Sequence, residues 1–193
     1  MDSKSHFGAH IMASVETPRI LRPRFLVESI WDVEHWRKGQ LLSQSRDHNI
    51  CTDEGLNKLL NVMFGGAGSG NTQITTWYVL IFESDTTPAA GTTYATPVFT
   101  ESTAYDEANR PAFVESNASA KSTDNSASKA TFTISSTKTI YGAALVGGGT
   151  DADTKDDQAG GGTLYCASKF GASKSVVDDD VLNVTITLTA ADA

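Results

Sequence analysis

Two cysteines, five prolines and an aromatic share of 8% leave this 193-residue chain few residues that staple, kink or anchor it. Cys51 and Cys166 lie far apart, each in an apolar neighbourhood. No C-x-x-C pair exists, so neither a zinc site nor a redox motif is indicated. Two buried free thiols are the favoured expectation, with a single disulfide as the alternative. No apolar run approaches the roughly 20 residues of a spanning helix, so no membrane partner is expected. No cationic stretch followed by an apolar one opens the chain, so no secretory signal is visible and synthesis in a cytoplasm is expected. Positive charge is scarce as well. Fifteen Lys and Arg stand against 23 Asp and Glu, for a net charge of −8. That balance argues against nucleic acid, whose phosphates need a basic surface.

Catalytic signatures are missing too. His6, His10, His35 and His48 form no H-E-x-x-H, and no G-x-S-x-G elbow presents a nucleophile. Gly65 to Thr72 (GGAGSGNT) matches a phosphate loop except at Asn71, where the lysine that meets the phosphates belongs. Its context is inverted, because a helix precedes it and a strand follows, so it reads as a connector. Asp151, Asp153, Asp156 and Asp157 suggest calcium, but Lys155 and Gly162 stand where an EF-hand loop needs oxygen ligands. A solvated acidic loop is the better reading, and Asp178-Asp179-Asp180 likewise reads as an exposed turn. Asn117-Ala118-Ser119 and Asn183-Val184-Thr185 match the glycosylation pattern, which has no meaning without secretion. The expectation is a protein that is not an enzyme and holds no cofactor and no metal.

What the chain does have is β patterning. Residues 1–23 are polar and unpatterned and read as a flexible tail or extended arm. The opening MDSKSHFGAHIMAS reads in part as an expression leader, with Met12 as a candidate native start. Residues 24–193 read as one β domain. Phe25, Val27, Ser29 and Trp31 alternate with their neighbours at period two, Arg37-Lys38-Gly39 supplies a turn, and Gln40 to Arg46 returns. This predicts a hairpin over 25–46. Thr52 or Asp53 caps a helix over 53–64, with Leu56, Leu59, Leu60 and Met63 on one face and Gly65-Gly66 as a left-handed stop. Thr75 to Phe82 (TTWYVLIF) is apolar on both faces and reads as the central strand. Shorter strands are predicted at 97–102, 112–116, 130–135, 139–146, 163–168 and 181–189, with Thr133 to Val146 forming a hairpin. The loops Asn117–Lys129 and Gly147–Gly162 are polar and expected to be exposed and mobile. The fold class is mainly β: a β-sandwich or jelly-roll-like domain with one short helix packed on it.

The order of pieces carries a resemblance. Ile50-Cys51-Thr52-Asp53-Glu54-Gly55 leads into Leu59-Leu60-Asn61-Val62-Met63-Phe64, and Trp77-Tyr78-Val79-Leu80-Ile81 follows. Later come Tyr105-Asp106-Glu107-Ala108-Asn109-Arg110-Pro111, Ile140-Tyr141-Gly142-Ala143 and Leu164-Tyr165-Cys166-Ala167. Over about residues 25–190 the chain resembles small structural proteins of tailed bacteriophages, of the capsid cement or decoration kind. It departs from them at Val79-Leu80, where relatives tend to carry a glycine. The resemblance implies a β-sandwich that oligomerises as a dimer or trimer. It also implies binding to the outside of a shell built by the major capsid protein, which makes the virion surface the location. Candidate contacts are Arg24, Phe25, Trp31, Trp36 and Arg37. Arg110 is expected to pair with Asp106 or Glu107 within its loop. Head-fibre, tail or baseplate components, and a carbohydrate-binding sandwich, are the alternatives.

Overall fold

A computed structural model of the protein describes residues 25–65 and 72–192. The expected arm at 1–23, the candidate Arg24 and most of the glycine-rich break lie outside the described residues, as does the side chain of Phe25. The order of elements is β1 (Phe25–Arg37), β2 (Gln40–Cys51), α1 (Asp53–Phe64), β3 (Trp77–Phe82), β4 (Ala112–Phe113) and β5 (Ser122–Asp124). It continues with β6 (Ala130–Thr133), β7 (Lys138–Gly147), β8 (Thr163–Val176) and β9 (Val181–Asp192).

The strands form two antiparallel sheets. In the first, β1 lies between β2 and β9, and β5 and β6 occupy successive stretches of the far edge of β9. In the second, the order is β4-β3-β7-β8. They meet at a seam of two residue pairs, Ile50 opposite Ala167 and Cys51 opposite Cys166. The core lies between the sheets. Trp31 and Val33 of β1 and Leu182, Val184 and Ile186 of β9 face Val79, Ile81, Leu145 and Cys166, all fully or almost fully buried.

A second apolar layer covers the opposite face of β3 and β7. Leu80, Phe82, Ala144 and Val146 pack there against Tyr94 and Phe99, with Phe82 and Phe99 stacked at 4.6 Å. Strand β3 is therefore apolar on both faces because each face meets its own cluster, as the sequence predicts. It is not the central strand of its sheet, however. Strand β7 holds that place, and β3 has only the two-residue β4 beyond it.

The β1–β2 hairpin turns where expected. Lys38 and Gly39 both have positive φ, 49° and 75°. A two-residue turn of that kind matches the right-handed twist of the strands. Strand β2 runs on to Cys51, past the expected Arg46. Its alternate residues Ser43 and Asp47 turn toward β8, where they meet Lys174 and the Gly171 amide. That inward face is polar, so it carries no apolar period.

The hairpin expected over 133–146 does not form. Strand β6 pairs with β9 in one sheet, and β7 pairs with β3 and β8 in the other, so the chain crosses the sandwich at 134–137. The expected strand at 97–102 reduces to one bridge, Phe82 with Glu101. Those residues cover the second cluster instead of joining a sheet. Helix α1 has the expected bounds. Gly65 ends it in an extended conformation, φ −71°, rather than a left-handed one, with its amide donating to the Asn61 carbonyl at 2.9 Å.

Candidate functional site

The sequence Thr52-Asp53-Glu54-Gly55 builds the joint between helix and sheet. Thr52 is fully buried; its hydroxyl accepts from the Gly55 amide at 3.0 Å and donates to the Leu164 carbonyl of β8. One side chain thus caps the helix and ties it to the strand. The Asp53 amide donates to the Ala90 carbonyl at 2.8 Å. One oxygen of Glu54 accepts from the Tyr94 amide at 2.9 Å and the Leu164 amide at 2.7 Å. Gly55 then lets the helix backbone approach that of Tyr165, with no side chain between them. Leu56 and Leu59 pack onto the core, but Leu60, Met63 and Phe64 are 51%, 65% and 81% exposed. Only half of the predicted apolar face is covered.

Arg110 is the most highly connected charged group among the described residues. It pairs with Glu101, not with Asp106 or Glu107 as expected. Nε donates to Glu101 Oε1 at 2.9 Å and Nη2 to Oε2 at 2.5 Å. Nη1 donates to Tyr94 Oη at 3.1 Å and the Ala152 carbonyl at 2.9 Å, and Nη2 also donates to the Asp157 carbonyl at 3.0 Å. All five guanidinium N–H groups therefore have acceptors. Tyr94 Oη donates to Asp157 Oδ2 at 2.7 Å, and burial pushes its phenol up to about 12. Burial also raises the Glu101 carboxyl, against the pull of Arg110.

The cavity beside this cluster is about 20 Å³, room for about one water. The arrangement fastens the loop 147–162 to the sheet, correcting the expectation that this loop is free. The sequence reading missed the Glu101 partner. The available signal was a lone arginine in a segment with few cations, followed by Pro111.

A second cluster closes the far end of the sandwich. Asp180, expected in an exposed turn, is fully buried. It accepts from Arg37 Nε and Nη2, both at 2.7 Å, and from the Val177 amide at 2.8 Å, and His35 Nε2 lies 2.8 Å away. The Arg37 guanidinium, helped by His35 and the Val177 amide and opposed by burial, holds the Asp180 carboxyl well below the usual range. A lowered folded pKa stabilises the fold above the unfolded value, near 4, and that contribution is lost as pH falls below it. Thermal melts between pH 2 and pH 6 should therefore show a steep acid arm that flattens in Asp180→Asn. An unchanged arm would show that other carboxylates control acid unfolding.

The five contact candidates fall in different settings. Trp31 is 0% exposed, with its indole N–H donating to Ser29 Oγ at 3.2 Å, so it offers no surface to a partner. Trp36 is half-buried and donates to Glu34 at 3.1 Å. Arg37 is partly exposed but bound to Asp180. Arg24 and the Phe25 side chain lie outside the described residues. The surface that sequence reasoning missed is apolar: Leu60, Met63 and Phe64 on α1, and Leu41 and Leu42, 46% and 49% exposed, on β2.

Beside α1 lies a cavity of about 280 Å³, lined chiefly by Leu59, Val62, Ile74, Trp77, Phe113 and Leu188. Among the described residues, no group of three or more His, Cys, Asp and Glu is placed to hold a metal ion. No helix among them is long and apolar enough to cross a membrane.

Buried charges that brace loops, together with an apolar exterior on one helix and one edge strand, describe a β-sandwich structural module. A family model described as Podophage GP4 fiber I protein gp80 matches residues 51–190, that is 140 of the 193 residues. The chain belongs to that family, and it is a structural component of a phage. Comparison with curated proteins returned no match, and neither did comparison with solved structures.

Proposed function

We propose that this chain is a fibre-type subunit of a podophage virion, assembling with copies of itself and attaching to the particle. The family match carries the reading, because it spans the helix joint and the whole second sheet. It favours a fibre over the cement role that the sequence resemblance implies. The exposed apolar groups on α1 and β2 support self-association, since surfaces of this kind mark protein contacts. Phe64 is the one fully exposed aromatic among the side chains described, and Trp36, Trp77, Tyr78 and Tyr141 are half-buried.

Labelling intact particles with antibody, and counting copies per particle, tests the proposal. A fibre subunit gives discrete labelled projections and a copy number that is a small multiple of the vertices bearing them. Even labelling of the shell at capsomer junctions would instead establish a cement protein that binds the major capsid protein. Absence from purified particles would overturn both readings.

A further inference from the structure

The seam between the two sheets brings the two cysteines together. Cys51, the last residue of β2, stands opposite Cys166 of β8. The Thr52 amide donates to the Tyr165 carbonyl at 3.0 Å. In an antiparallel ladder, a bond from the residue after one partner to the residue before the other marks a non-hydrogen-bonded pair. At such a site the Cα atoms lie about 4.5 Å apart, with both side chains on one face. A disulfide accepts Cα separations of roughly 4.4–6.8 Å. Both thiols are free and belong to the same buried cluster. Cys51 keeps 6% exposure and its Sγ lies 3.6 Å from the Val27 carbonyl, whereas Cys166 is completely buried.

We propose that Cys51 and Cys166 form a latent disulfide site, closed by a low-molecular-weight disulfide such as oxidised glutathione, which locks the seam without altering the fold. The Cys51 thiolate attacks one sulfur of the oxidant and expels the other as a thiolate, leaving a mixed disulfide. The Cys166 thiolate then attacks Cys51 Sγ and expels the second. Two protein thiols lose two electrons and two protons, and the oxidant becomes two thiols. Cys51 reacts first because it alone of the two keeps any exposure.

Burial pushes the Cys51 thiol up to about 11, so its thiolate is scarce at neutral pH and closure of the native protein is slow. The rate should rise about tenfold per pH unit between pH 8 and pH 10, following the thiolate. The bond would close a long loop, from residue 51 to residue 166, so it should raise the unfolding temperature by roughly 10 °C.

The test holds the full chain in oxidised and reduced glutathione at pH 8.5. The same chain is also refolded from denaturant in that buffer, so that slow closure is not mistaken for forbidden closure. The expected product has lost two hydrogens in intact mass, yields a Cys51–Cys166 linked peptide, shows no titratable thiol and melts higher. Reduction with dithiothreitol should restore the original melt. Cys51→Ala and Cys166→Ala should each abolish the shift on oxidation, whatever their own starting stability. The proposal is overturned if the refolded chain keeps two free thiols, carries only glutathione adducts, links only between molecules, or melts no higher when oxidised.

Discussion

Gly55→Ala should lower stability by about 2–3 kcal/mol and the melting temperature by about 5–8 °C. A Cβ at this position would lie 2.4, 2.6 and 2.9 Å from the carbonyl oxygen, Cα and carbonyl carbon of Tyr165. All three are backbone atoms of β8, so no flexible side chain can swing aside. Alanine's better helix propensity recovers up to about 1 kcal/mol, less than the overlap costs. Relief requires lifting α1 from the sheet. That movement would strain the hydrogen bonds of Thr52 to Leu164 and of Glu54 to the Leu164 amide. Gly91→Ala is the matched control, because a Cβ there meets nothing within 4 Å. Denaturant titration of the two variants separates steric overlap from a general effect of adding a methyl group. Equal stability in the two would refute the close approach.

The Thr52–Gly55 joint was legible in sequence only as a helix start. Thr52 announces a cap because its side chain can accept an early helix amide, and the bounds of α1 follow from the leucine spacing. Nothing local says that the same hydroxyl reaches β8, or that Gly55 faces a backbone rather than solvent. The β1–β2 hairpin was legible because Lys38-Gly39 turn chemistry and a period of two agree.

Where local signals fit two topologies, the prediction went astray. Ser136-Thr137 suits a tight hairpin as well as a crossing between sheets, and only pairing with β9 or β3 decides it. Strand β8 outruns its expected end at Ser168 by eight residues. Its continuation, Lys169 to Val176, contains a register shift opposite β7 and an exposed Gly171-Ala172-Ser173, so the apolar period is broken. The charged clusters were the least legible. Glu101 and Arg110 are nine residues apart, and Arg37 and Asp180 are 143 apart. The closer carboxylates Asp106 and Glu107 were plausible rivals for Arg110. Glu107 instead accepts from the Thr133 amide, which removes it from that contest.

These clusters also explain how a chain rich in Gly, Asp and Thr holds long loops in place. Loops that bury little apolar area need another source of order. Here a few buried or half-buried ions supply it by accepting from backbone amides or donating to backbone carbonyls. Glu54 and Arg110 each join segments that no sheet ladder connects, and Asp180 ties the turn before β9 to the end of β1. Arg110 has all five N–H groups engaged within the fold, and both oxygens of Asp180 accept hydrogen bonds there.

Arg110→Met should be the most damaging exchange of a single side chain, at about 3–5 kcal/mol. It leaves the Glu101 carboxylate, 7% exposed, without its counter-charge, and it orphans the Ala152 and Asp157 carbonyls. Without Arg110 only the Asp156 amide, 3.0 Å from Glu101 Oε2, still opposes the upward push of burial, so the carboxyl takes up a proton at higher pH than in the unfolded chain. The folded variant then binds more protons than the unfolded one, and its stability falls as pH rises. The penalty should therefore be smallest near pH 4 and complete once pH exceeds the raised pKa. Removing both charges in Arg110→Met/Glu101→Leu should recover about 1–3 kcal/mol at neutral pH and abolish that slope, because no buried charge is left unpaired. It should not restore the wild type, since the loop carbonyls still lack donors. Hydrogen exchange separates the two contributions: both variants should lose protection at residues 149–160, and only the single variant should lose global stability in a pH-dependent way. If the double variant is no more stable than the single one, the ion pair is not what holds this loop to the sheet.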